Sequence, residues 1–144
     1  MSNPAAPVLH EQDLRDIFVQ SPLMSSMGVQ VIEVDHEAMR LVMRLPLQAH
    51  FERRPRGGRQ FHGGILAALI DMAGDFAVGM CVGGGVPTMN LRIDYLRPAV
   101  GDHMDAIAVV RRLGRSTAVA DIDVLDPEGR LVAIGRGTFV PKPG

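Results

Sequence analysis

The stretch from Gly63 to about Val82 limits what this 144-residue chain can fold into. Ile65, Leu66, Ala67, Ala68, Leu69, Ile70, Met72, Ala73, Phe76, Ala77, Val78 and Met80 fall on every face of a helix. A helix that is apolar all round is buried all round. Gly83-Gly84-Gly85 ends it with backbone freedom that only glycine supplies. A chain this long forms one domain with one core, so the remaining residues must enclose this helix.

They read as a short helix and six strands. Leu14, Ile17 and Phe18 lie at helical spacing within Glu11 to Gln20, and Ser21-Pro22 stops that helix. A strand follows around Gly28 to Val34. In the next, Ala38 to Leu45, Met39, Leu41, Met43 and Leu45 alternate with Arg40 and Arg44. Residues 46–61 form a long loop carrying Arg53, Arg54, Arg56 and Arg59. After the long helix come Thr88 to Leu96, His103 to Arg112, Thr117 to Leu125 and Leu131 to Val140. Their turns are marked by Pro98 and Gly101, by Gly114-Arg115, and by Asp126-Pro127-Glu128-Gly129. The predicted fold is α+β: a six-stranded antiparallel sheet curved around one central helix, with a short N-terminal helix. Residues 1–144 form one domain, with loose ends at 1–10 and 141–144. An exposed edge strand remains, and pairing with a second copy removes that liability.

Charge and cysteine usage narrow the function classes. A net charge of -1 argues against a partner held by bulk charge, whether nucleic acid or anionic membrane. Fourteen of the 15 basic residues are arginine, a usage bias that cannot by itself indicate a phosphate site. A single cysteine, Cys81, excludes an internal disulfide framework and with nine methionines suits a reducing compartment. No uninterrupted apolar run reaches the roughly 18 residues of a membrane span. The first residues lack a secretory signal pattern, so a cytoplasmic protein is expected.

Two acids interrupt the apolar helix. Asp71 and Asp75 are four residues apart and share a face. Burying either without a partner is expensive. Three readings stay open: exposure through a gap in the sheet, pairing with arginines across a subunit interface such as Arg92 or Arg97, or service as a catalytic base. Upstream, Phe61-His62-Gly63-Gly64 offers free backbone N–H groups at a helix start, the chemistry of an oxyanion hole. A loop-ending turn with a capping histidine is the plain alternative. His10, His36, His50, His62 and His103 show no metal-ligand spacing. Gly83-Gly84-Gly85 lacks the pattern of a phosphate-binding or dinucleotide loop.

These residues carry a resemblance. His62-Gly63-Gly64 is followed by Asp71 nine residues after His62. Then come Pro87-Thr88-x-Asn-Leu-x-Ile-Asp-Tyr95-Leu-Arg-Pro-Ala99 and Gly114-Arg115-Ser116-Thr117-Ala118. From about residue 25 to 140 the chain resembles the hotdog-fold acyl-CoA thioesterases of the phenylacetate-degradation and 4-hydroxybenzoyl-CoA type. The resemblance implies dimers, often paired into tetramers, with sites at the dimer interface. It implies hydrolysis of acyl-CoA thioesters without metal or cofactor, coenzyme A being part of the substrate. Asp71 is then the carboxylate that activates water or attacks the carbonyl. The Gly63 N–H polarises that carbonyl, and His62 shapes the same loop. Gly64 and Thr88 lie near the reacting group, although strand alternation puts Thr88 on the face opposite Tyr95. The resemblance does not require an acid at 75: from its spacing, Asp75 is expected to bind the attacking water or share a proton with Asp71, or else to pair with an arginine of the neighbouring subunit. Arg115 and Ser116 are expected to hold the nucleotide phosphates, with Arg56 and its loop beside them. The family often has Asn or Gln where this chain has Arg56, and Gln60 is the nearest amide. A non-catalytic acyl-CoA-binding domain of the same fold is the alternative, and a hydratase a more distant one.

Overall fold

Five different strands touch the long helix, and a flat sheet cannot achieve that with a cylinder of helical width. The computed structural model describes residues 8–54 and 58–144. Arg56, one of the expected substrate contacts, lies outside them. In chain order the elements are α1 (Glu11–Gln20), α2 (Pro22–Met27), β1 (Gln30–Asp35), β2 (Arg40–Pro46), α3 (Gly63–Val82), β3 (Thr88–Tyr95), β4 (His103–Leu113), β5 (Ala118–Leu125) and β6 (Leu131–Phe139). The strands join one antiparallel sheet in the order β1-β2-β4-β5-β6-β3. This is the α+β architecture expected from the sequence: a curved six-stranded sheet around one central helix, with a short N-terminal helix. Leu41, Met43 and Leu45 of β2, Met104, Ala106 and Ala108 of β4, and Ala120, Ile122 and Val124 of β5 are buried on the inner face.

The helix sits very close to the sheet. A Cβ on Gly135 would lie 2.5 Å from Ile70 Cγ2, and one on Gly74 would lie 2.6 Å from the Phe139 ring. Both are glycines because no side chain fits between these layers.

Three local expectations change. Ser21-Pro22 ends α1 but also starts α2, with Pro22 at its first position and the Ser21 hydroxyl accepting the Met24 N–H at 3.4 Å. The described parts of the ends, residues 8–10 and 141–144, are less loose than their composition suggests, and residues 1–7 lie outside the described ones. Leu9 N–H reaches Met80 O at 3.0 Å, Pro141 is buried, and Gly144 N–H reaches Gly85 O at 3.2 Å, because carbonyls at the end of α3 and in the following loop accept them. Finally, α3 is not buried all round. Although its length and mean hydropathy of 1.9 match those of a membrane span, Ala67, Ala68, Asp71 and Asp75 form a half-buried stripe along it. The sheet encloses the helix except along that stripe, which flanks the edge strand β3.

Candidate active site

His62 shapes the start of α3. Its backbone is extended (φ -67°, ψ 139°), and its Nδ1 accepts the Gly64 N–H at 3.0 Å. The Gly64 donor is therefore held by the histidine. Ile65 N–H bonds the His62 carbonyl at 3.0 Å. Among the described residues the Gly63 N–H has no acceptor. It is the donor that the helix start leaves available, at the positive end of the helix dipole.

The edge strand β3 runs back along α3 and is fastened to it at three levels. At the far end, Val86 N–H donates to Asp75 Oδ1 at 2.6 Å. One turn nearer the start, the Thr88 hydroxyl donates to Asp71 Oδ1 at 2.7 Å. At the helix start, the Tyr95 hydroxyl donates to the Gly63 carbonyl at 2.7 Å. Simple alternation cannot put Thr88 and Tyr95 on one face, since they are seven residues apart. The pairing of β3 with β6 slips between Thr88 and Asn90, so Met89 is an extra residue in a β-bulge. The bulge turns Thr88 inward, which corrects the sequence-based placement of its side chain. Tyr95 is a residue whose role the sequence reading missed. Its parity with Leu91 and Ile93, which pack on the core, was the available signal.

Asp71 is half-buried, and among the described residues its Oδ2 has no donor. The hydroxyl on Oδ1 orients the carboxylate and leaves the other oxygen free for water or substrate. Asp75 is held differently. Burial pushes its carboxyl up to about 6, the Val86 hydrogen bond pulls it down, and the Asp71 charge pushes it up again. It faces the loop that leads into β3.

Gly63 and Asp71 do not meet. Eight residues along a helix separate them by about 12 Å, too far for one carbonyl to touch both. A cleft of about 370 Å³ opens beside Gly63, lined also by Arg53, Gln60, Tyr95 and Arg97. Gln60, the nearest amide in sequence, thus shares the cleft with the free N–H. Arg115 and Ser116 are exposed in the hairpin between β4 and β5. Ala118 pairs with Phe139 and Phe139 with Thr88, so the hairpin lies about 10 Å across the sheet from Thr88. It shares an end of the sheet with Asp71 and makes no described contact with it. Among the described residues, no three His, Cys, Asp or Glu side chains gather as metal ligands.

The sequence matches the Thioesterase superfamily over residues 60–133. A Halobacterium salinarum protein, provisionally named an esterase, is 40% identical over 127 residues, spanning 81% of this chain and 82% of its own. The acyl-coenzyme A thioesterase PaaI of Escherichia coli K12 is 29% identical over 129 residues, covering 88% of this chain and 86% of its own. The solved structure of the E. coli PaaI protein superposes with a TM-score of 0.78 at 28% identity, covering 92% of each chain. A crystal structure of another protein from the thioesterase superfamily gives a TM-score of 0.79 at 37% identity, covering 86% of this chain and 92% of that one.

Proposed function

The chain belongs to the thioesterase superfamily, and on that premise we propose that it hydrolyses acyl-CoA thioesters to free acid and coenzyme A in the cytoplasm, at a site shared by two copies. The observation that carries the reading is the Thr88–Asp71 hydrogen bond, which presents an oriented carboxylate beside an open sheet edge. The role expected of Asp71 needs a carbonyl-polarising donor within reach. The Gly63 of its own chain is too distant.

A second copy supplies that donor if the two β3 edges pair antiparallel about a twofold axis near mid-strand. The Thr88 end of one strand then meets the Tyr95 end of the other. Asp71 of one copy approaches Gly63 of its partner, together with the partner's cleft. The exposed apolar surface of β3 supports this pairing, with Met89 63% and Tyr95 52% accessible.

In this arrangement Asp71 acts as base or nucleophile from its free Oδ2. On the base route it takes a proton from water, and the water oxygen bonds to the thioester carbon. The Gly63 N–H of the other copy stabilises the oxyanion. The C–S bond then breaks, the acid leaves, and the proton passes to the coenzyme A sulfur. No cofactor takes part in this sequence. The direct test is turnover of a panel of acyl-CoAs with a thiol-trapping reagent. Release of free coenzyme A with saturation kinetics supports the hydrolase. Binding without turnover replaces it with an acyl-CoA-binding domain.

Arg115, exposed in the β4–β5 hairpin, is the residue we assign to the nucleotide end of the substrate, because a guanidinium suits phosphate oxygens. Arg115→Ala should raise KM for an acyl-CoA well above its effect on the matching acyl-pantetheine, which lacks the nucleotide. Equal effects on the two substrates would remove Arg115 from the site.

A further inference from the structure

We propose that Asp75 is a positioning residue for this reaction, holding the Val86 N–H so that the α3–β3 connection delivers the Thr88 hydroxyl to Asp71. The inference rests on Asp71 being the working carboxylate. Asp75 touches no reacting atom. It acts through the short run of chain from Val86 by way of Pro87 to Thr88.

The choice of residue points to this role. The loop after α3 runs Gly83-Gly84-Gly85-Val86-Pro87, with Gly83 in the left-handed conformation at φ 93°. Three successive glycines leave its path poorly determined by local preference. The Asp75–Val86 bond, one residue before Pro87 and two before Thr88, is the side-chain bond that pins it, beside the backbone bonds from Gly144 N–H to Gly85 O and from Val140 N–H to Pro87 O. An asparagine at 75 offers the same acceptor without a half-buried charge. A carboxylate instead makes a charge-assisted bond, and 2.6 Å is short for N–H donating to oxygen. The site therefore carries an electrostatic penalty on its helix in exchange for a firmer hold on the strand that orients its base.

The groups facing Asp75 are few. On its own helix Asp71 is the charged neighbour. The loop and the start of β3, residues 83–88, contain no titratable side chain. The C-terminal segment packed on that loop contributes Lys142, which is exposed. Asp75 ionises near pH 6 through burial first and the Asp71 charge second. Below that pH the bond to Val86 loses its charge assistance and Thr88 is held less firmly.

Stability runs the opposite way. The folded state keeps the Asp75 proton up to about pH 6, whereas an unperturbed aspartate releases it near 3.8. Protonation thus favours folding, in full below pH 3.8 and lost as pH rises through about 6. Asp75→Asn should therefore melt at a higher temperature than wild type at pH 8 and at a similar temperature near pH 4. A purely structural bond predicts the reverse at pH 8.

The experiment compares wild type, Asp75→Asn and Asp75→Ala on an acyl-CoA that the wild type hydrolyses, with amide NMR of Val86 alongside. In wild type the Val86 amide shift should titrate with a midpoint near 6, and kcat should show an inflection there. Asp75→Asn should lose both titrations, keeping at every pH the lower kcat of the acidic wild type. Asp75→Ala, folded by circular dichroism, should lose about 10²-fold in kcat with little change in KM, as ångström-scale misplacement does. An unchanged kcat in Asp75→Ala, or a pH 6 inflection surviving in Asp75→Asn, overturns the inference. So does a Val86 amide that does not titrate in an active wild type. If the amide titrates in a wild type that turns over no acyl-CoA, the hydrolase reading has failed instead.

Discussion

Asp71→Asn should abolish thioester hydrolysis while the protein stays folded and still binds acyl-CoA. Asparagine keeps the carbonyl that accepts the Thr88 hydroxyl, so β3 remains fastened at that level. What disappears is the anionic oxygen proposed to remove a proton or attack carbon. Loss of such a group lowers kcat by about 10²–10⁴ or more. Calorimetric titration with a slowly hydrolysed acyl-CoA should show binding within a few-fold of wild type. A variant that keeps most of its kcat would remove Asp71 from the chemistry and leave its bond to Thr88 a structural one.

Two inactive proteins should restore one another. Gly63→Pro removes the free N–H at the first helical position, where proline is well tolerated, and His62 already has the extended backbone that a following proline requires. Loss of one oxyanion donor lowers kcat by about 10²–10³. In a mixed dimer of Asp71→Asn and Gly63→Pro chains, one site carries both lesions and the other carries neither. Random pairing of equal amounts makes half of the dimers mixed, each with one working site, so roughly a quarter of wild-type activity returns. Coexpression with two affinity tags isolates the mixed species. Inactive mixed dimers would mean that Gly63 and Asp71 are not joined across an interface. A site contained within one chain stays dead in every combination, because each chain carries a lesion.

Both variants target residues that the sequence itself singles out. The apolar stretch from Gly63 to Val82, interrupted by two carboxylates, was readable from composition and spacing. So were the six strands, because their alternation and their turn residues agree. What could not be read was side-chain direction where alternation fails. Thr88 seemed to face away from Tyr95 because period-two counting assumes no extra residue between them, and a bulge leaves no compositional mark. The open stripe on α3 was missed for a related reason. Two of its four members are alanines, which count as apolar in any pattern whether buried or half-open, while exposure through a gap in the sheet was one of the readings open for its two aspartates. For Asp75, the sequence suggested a proton shared with Asp71 or an interface ion pair. Its observed partner is a backbone N–H, a donor that every residue but proline carries and that sequence cannot distinguish. The arrangement of Gly63 and Asp71 followed from counting alone, since the helical rise already separates them.

The bulge at Met89 gives β3 two phases, and a change in length there acts differently from any substitution. Deleting Met89 would restore an unbroken ladder against β6 with Thr88 still opposite Phe139, six residues from Tyr95 and on the same face by plain alternation. Asp71 would keep its orienting partner, whereas losing the bulge with Met89 still present would turn Thr88 to the outer face. Substituting Met89 keeps the count and therefore the aim. At this point in the strand the aim of Thr88 depends on residue count and bulge together, so relatives should carry either the extra residue with its bulge or neither.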